Sequence, residues 1–123
     1  MAQSMNKTVD LAVRGTWFRA MSTYGKVMIG DEAFEFYNEK NVEDYVQIPW
    51  DQVTYVVADV HFTGKYIPRF SIRTKKDGEC IFATKDPKRT LRAIRKYVPA
   101  DHMRKALGVG ETIVRFFSRG KKK

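Results

Sequence analysis

Residues 69–98 read RFSIRTKKDGECIFATKDPKRTLRAIRKYV, and the change of period inside this stretch decides the fold. Phe70, Ile72 and Thr74 alternate with Arg69, Ser71 and Arg73, a period of two that marks a strand. Asp77-Gly78 is a two-residue hairpin signal, and Glu79 to Thr84 supplies the returning strand. At Asp86 the period changes. Asp86 suits an N-cap and Pro87 the first helical position. Leu91, Ile94 and Val98 then fall on one helical face, and Lys88, Arg89, Arg92, Arg95 and Lys96 cover the rest. Pro99 disfavours helical geometry at Val98 and stops the helix there.

Upstream, the same two-residue period recurs. Val9, Leu11 and Val13 alternate with Asp10, Ala12 and Arg14. Gly25 opens Lys26 to Ile29, and Gly30-Asp31 is a turn signal. Phe34 and Phe36 alternate with Glu35 and Tyr37 before a polar loop, Asn38 to Asp44. Val46, Ile48 and Trp50 form the next run, in which Pro49 marks an edge or a strand end. Val56, Ala58, Val60 and Phe62 form another, closed by Thr63-Gly64. The sequence thus predicts about seven antiparallel strands followed by one amphipathic helix. That is the plan of a mainly β (α+β), pleckstrin-homology or GRAM-like barrel closed by a C-terminal helix. Leu91, Ile94 and Val98 would face the barrel interior. Downstream, Asp101 can cap a second short helix, His102 to Leu107, with Gly108 as its stop. The predicted organisation is one domain over 1–108 and a basic amphipathic tail over 109–123.

Composition sets the outer bounds. The chain has 123 residues, enough for one real core, and 43% of them are hydrophobic. A single cysteine, Cys80, excludes an internal disulfide and fits a reducing compartment. No run approaches the roughly 18 apolar residues of a spanning helix, and the start lacks a signal-peptide core. The expected location is cytoplasmic, with any membrane association peripheral at the inner face.

Charge is unevenly placed. Residues 1–84 hold ten Lys/Arg and eleven Asp/Glu, whereas residues 85–123 hold thirteen Lys/Arg and three Asp/Glu. The net charge of +9 therefore resides in the last third. The predicted helix carries five cations and no anion between Lys88 and Val98, so no pairing within it relieves their repulsion. A helix shaped for solubility alone would mix signs. In the tail, Ile113, Phe116 and Phe117 share one helical face, while Thr112, Arg115 and Arg119 share another, ahead of Lys121, Lys122 and Lys123. Burying each phenylalanine would contribute roughly 1.5–3 kcal/mol, and each cation near an anionic leaflet about 1 kcal/mol. The predicted binding residues are Lys88, Arg89, Arg92, Arg95, Lys96, Arg115, Phe116, Phe117, Arg119, Lys121, Lys122 and Lys123.

Catalytic chemistry finds little support. His61 and His102 belong to no metal-ligand spacing, and no cofactor motif occurs. Cys80 reads as a small core residue, and the acidic pairs Asp31-Glu32 and Glu43-Asp44 read as solvated turn carboxylates. The expectation is a protein that is not an enzyme and has neither cofactor nor metal.

A set of blocks carries a resemblance: AQSMNKTVDL from Ala2, YGKVMIGDEAFEFYN from Tyr24, QIPW from Gln47, IPRFSIRTKKDG from Ile67 and LRAIRKYVPADHM from Leu91. In these the chain resembles the ManO-like family encoded with mannose-class phosphotransferase operons of Gram-positive bacteria. The resemblance implies a non-enzymatic accessory or regulatory protein of the mannose-type permease. Its partners would be the IIC and IID membrane subunits, with anionic lipid headgroups as a second contact. The alternative is a nucleic-acid-binding regulator of the same operon. The basic face has the sign for phosphate but lacks base-reading side chains, which makes nucleic acid the weaker alternative.

Overall fold

The computed structural model of the protein describes residues 3–62, 65–76 and 78–107. The described chain is mainly β. Its strands are β1 (Val9–Phe18), β2 (Thr23–Gly30), β3 (Ala33–Asn38), β4 (Tyr45–Pro49), β5 (Val53–His61), β6 (Tyr66–Thr74), β7 (Glu79–Thr84) and β8 (Met103–Leu107). One α-helix, α1 (Pro87–Arg95), follows β7, and single 3-10 turns occupy Trp50–Gln52 and Ala100–His102. The strands form one open sheet in the order β4-β3-β2-β1-β7-β6-β5-β8. Every pairing is antiparallel except β5 with β8, which is parallel.

The sheet curls, and two observations show it. Strands β4 and β5 lie far apart in the order, yet three residues connect them, a reach of roughly 11 Å. Rings from strands that are not neighbours also meet: Phe34 of β3 lies 4.8 Å from Phe82 of β7 and 6.2 Å from Phe70 of β6. Strand β1 is the shared element. Its length from Val9 to Trp17 pairs with β2, and Gly15 to Phe18 pairs with β7. The core inside the curl holds Val27, Ile29, Phe34, Phe36, Val56, Phe70, Ile72 and Phe82. These are largely the inward positions of the predicted alternation.

Helix α1 lies over this core. Asp86 caps it, its carboxylate accepting from the Arg89 N–H at 3.3 Å, a contact typically worth about 1 kcal/mol. Ile94 and Val98 are buried, and Leu91 is half-buried. Thr90 is fully buried as well. It donates to the Asp86 carbonyl at 2.7 Å and meets the Thr84 hydroxyl at 2.8 Å. The helix end is clamped by Tyr97, which stacks on Trp50 with centroids 5.2 Å apart and donates its hydroxyl proton to the Asp10 carboxylate.

Four expectations need correction. The second helix over His102–Leu107 is a strand, β8. A five-residue segment does not specify either period, and the open backbone edge of β5 decides in favour of pairing. There are accordingly eight strands among the described residues, not seven. The β6–β7 connection is wider than two residues: β6 ends at Thr74, whose N–H donates to the Gly78 carbonyl, and β7 begins at Glu79, with Gly78 at a φ of +72°. Asp77 itself, like Thr63, Gly64 and Gly108, lies outside the described residues. Finally, β5 ends at His61. Phe62 takes a φ of +53° and is exposed, rather than continuing the inward row.

Candidate functional site

Two polar constellations stand out. The first is centred on Glu35. Alternation places Glu35 on the face opposite Phe34 and Phe36, which the period alone marks as solvent-facing. The N-terminal segment covers that face, and Glu35 is fully buried. Its carboxylate accepts from Ser4 Oγ at 2.6 Å, the Met5 N–H at 2.8 Å, Asn6 Nδ2 at 3.0 Å, Tyr37 Oη at 2.9 Å and Gln47 Nε2 at 3.0 Å. Burial pushes the Tyr37 hydroxyl above its ordinary value, and the neighbouring Glu35 adds to this. Asn6 also bridges: its Oδ1 accepts from the Glu32 and Ala33 N–H groups, each at 2.8 Å. Asp31 accepts from the Lys7 and Thr8 N–H groups at 2.9 and 3.1 Å. Its carboxyl is held below the usual range, chiefly by the Thr8 N–H. Asp31 and Asp44 are thus bonded, not merely solvated; Asp44 accepts from Arg19 and from Asn38. The Glu35 carboxylate is buried with five donors within 3.0 Å, so this constellation holds the N-terminal segment against β3 and β4.

The second constellation is the opposite case: cations that meet no carboxylate among the described residues. Between α1 and the β5–β6–β8 corner lies a pocket of about 240 Å³. Its floor is apolar, from Val56, Ala58 and Val60 of β5, Ile67 of β6, Leu91 of α1 and Met103 of β8. Around it stand Arg92 and Arg95 from α1 and Arg104 and Lys105 from β8, all exposed. Among the described residues none of these four meets a carboxylate. The Arg104 guanidinium lies 5.3 Å from the centre of the Tyr55 ring.

The predicted helix cations therefore divide. Arg92 and Arg95 border the pocket. Lys88 and Arg89 are exposed and belong to the same one-signed helix surface. Lys96 is different, because it bonds Asp10 at 3.3 Å. That bond raises the Lys96 pKa, while the Tyr97 hydroxyl and then Lys96 hold Asp10 low. Lys96 thus fastens the helix to β1. The predicted tail residues Arg115, Phe116, Phe117, Arg119, Lys121, Lys122 and Lys123 lie outside the described residues. Sequence reasoning missed Arg104, Lys105 and Met103, since a helix expected at 102–107 would not have brought them beside α1. It also missed that Leu91 lines a surface pocket. No local signal marks either, because parallel pairing to β5 is a non-local event.

Among the described residues no group of three or more His, Cys, Asp or Glu could hold a metal ion. His61 lies 3.2 Å from Asp59, which also pairs with Arg69 at 3.3 Å, and Cys80 is buried. No helix of the described residues is long and apolar enough to cross a membrane.

Over the described residues, fold and site define a mainly β protein with one α-helix and an apolar pocket fringed by cations that meet no carboxylate there. Residues 1–117 match the family described as domain of unknown function (DUF956), and the chain belongs to that family. A search of curated proteins finds no match. Among solved structures, the chain is similar to the C-terminal domain of an unknown protein from Leishmania infantum, with a TM-score of 0.64 at 10% identity. The likeness covers 73% of this chain and 83% of that one, and at this identity it speaks to the fold alone.

Proposed function

We propose that the protein is a non-catalytic accessory module of the mannose-type sugar phosphotransferase permease. In this reading it docks on the cytoplasmic face of the IIC and IID subunits, beside anionic lipid, through α1 and the 109–123 segment. The observation that carries the binding role is the one-signed pocket. Four exposed cations surround an apolar floor, and no carboxylate among the described residues neutralises them. Like charges held together without relief favour a partner of opposite sign. The choice of the permease comes from the sequence resemblance, not from the pocket.

The same reading takes the fold as a pleckstrin-homology-like barrel. The curl of the sheet, the β4-β3-β2-β1-β7-β6-β5 order and a helix following β7 support it. Strand β8 is an addition to that plan.

The test is capture of the full-length tagged protein by detergent-solubilised membranes that hold the permease, with partners identified by mass. Wild type should be retained, and a form lacking residues 109–123 or carrying Arg92→Glu with Arg95→Glu should be released. Undiminished capture of both altered forms would remove the basic surface from the contact. Sequence-selective DNA binding that survives physiological salt would instead favour the operon-regulator alternative.

A further inference from the structure

We infer that the pocket between α1 and β8 receives one bulky apolar side chain from an acidic segment of a partner protein. The inference deepens the proposed function and rests on it only for the identity of the partner. Three features lead to it.

The first is size. At about 240 Å³ the pocket falls below the roughly 300–1,000 Å³ typical of sites for whole small molecules. It suits a single leucine, phenylalanine or methionine side chain. The second is the floor. Leu91 and Met103 are only half-buried and come from two different elements, α1 and β8, so they offer apolar area that an incoming side chain would cover. Anchors of this kind, seated in a pocket and ringed by polar groups, dominate protein interfaces. The third is the rim. Arg92, Arg95, Arg104 and Lys105 impose a sign on whatever flanks the anchor.

Charge then selects among occupants. A second copy of the chain brings a net charge of +9. The protein's own Ile113, Phe116 and Phe117 arrive with Arg115, Arg119 and the three terminal lysines, which the rim would repel. A flat anionic leaflet supplies phosphates to the rim but leaves the recessed floor empty. An acidic segment with one apolar residue at its centre satisfies both floor and rim.

The experiment uses the full-length protein and fluorescence anisotropy with labelled acidic peptides. The peptides are identical runs of Glu and Asp with either Phe or Ala at the centre. Vesicles of phosphatidylglycerol form a separate arm. The Phe-centred peptide should bind about tenfold more tightly than the Ala-centred one. Leu91→Ser should erase that preference while leaving the charge-driven binding. Arg95→Glu, an exposed substitution, should weaken both peptides. Equal binding of the two peptides would overturn the inference, because charge alone would then explain it. So would vesicle binding that depends on Leu91 in the absence of peptide discrimination, which would assign the floor to lipid. The two readings fail separately. Peptide discrimination without capture by permease membranes sinks the permease and leaves the pocket. Capture that is unchanged by Leu91→Ser, with no peptide discrimination, sinks the pocket and leaves the permease.

Discussion

The Glu35 cluster and the α1–β8 face are both polar, and they resolve their charge in opposite ways. At Glu35 a buried carboxylate is surrounded by donors from Ser4, Met5, Asn6, Tyr37 and Gln47, all within the chain. At the α1–β8 face, Arg92, Arg95, Arg104 and Lys105 remain exposed without a carboxylate among the described residues. A charge removed from water must be bonded, or the fold loses several kcal/mol. An exposed charge carries no such demand, so its arrangement is open to another use. The contrast teaches that satisfied polar groups report on folding, and unsatisfied surface groups of one sign report on encounter.

The largest expected effect lies on the buried side. Glu35→Ala strands five donors at once and should cost about 3 kcal/mol in urea denaturation. A loss under about 1 kcal/mol would mean that the N-terminal segment contributes little to stability. Glu35→Gln should fall between, since its amide keeps one acceptor oxygen. Next comes Gly30→Ala. A Cβ there would sit 2.3 Å from the Thr8 carbonyl oxygen and 2.4 Å from Asn6 Cγ, so the segment must shift. The expected loss is about 2 kcal/mol, with faster amide exchange at residues 6–8 before the core opens. If the core amides accelerate equally, the segment is not a separate unit.

On the exposed side, Arg92→Glu with Arg95→Glu should leave stability within about 0.5 kcal/mol, because both side chains are exposed and neither meets a carboxylate among the described residues. The same pair should abolish capture by permease membranes. A large drop in the unfolding midpoint would erase the distinction between the two regions. The smallest effect is a pH response at the join of the N-terminal segment. Asp31 has a folded pKa below its ordinary 3.8, so its bonds to Thr8 and Lys7 stabilise the fold above that pH. The contribution is lost as pH falls through the lowered value. Exchange at the Lys7 and Thr8 amides should rise in that acid range, and Asp31→Asn should flatten the response.

How much of this was legible in advance differs by element. The rows Val56-Ala58-Val60 and Phe34-Phe36, the Asp86 cap and the Pro87 start are local patterns, and the structure places them as expected, whereas the helix ends at Arg95, short of the Val98 stop that Pro99 marks. The burial of Glu35 was not legible. Period two correctly put it on the face away from the core, but the cover comes from residues far away in the chain. Strand β8 was not legible for a related reason. Met-Arg-Lys-Ala-Leu accommodates either period, and the neighbour that settles it, β5, lies some forty residues earlier. The split of Lys96 from Arg92 and Arg95 likewise depends on where Asp10 sits.

By itself, the sequence determined the alternating strands of β1 to β7, the capped start of α1 and the concentration of positive charge after residue 84. These depend on neighbouring residues along the chain, where spacing and backbone preference act directly. Only the tertiary structure decided which charges among the described residues bond within the fold and which meet no carboxylate there, and that Arg92, Arg95, Arg104 and Lys105 meet around one apolar pocket. The physical reason is that burial and pairing are set by contacts between distant segments. A residue's own neighbours in sequence carry no record of what will cover it.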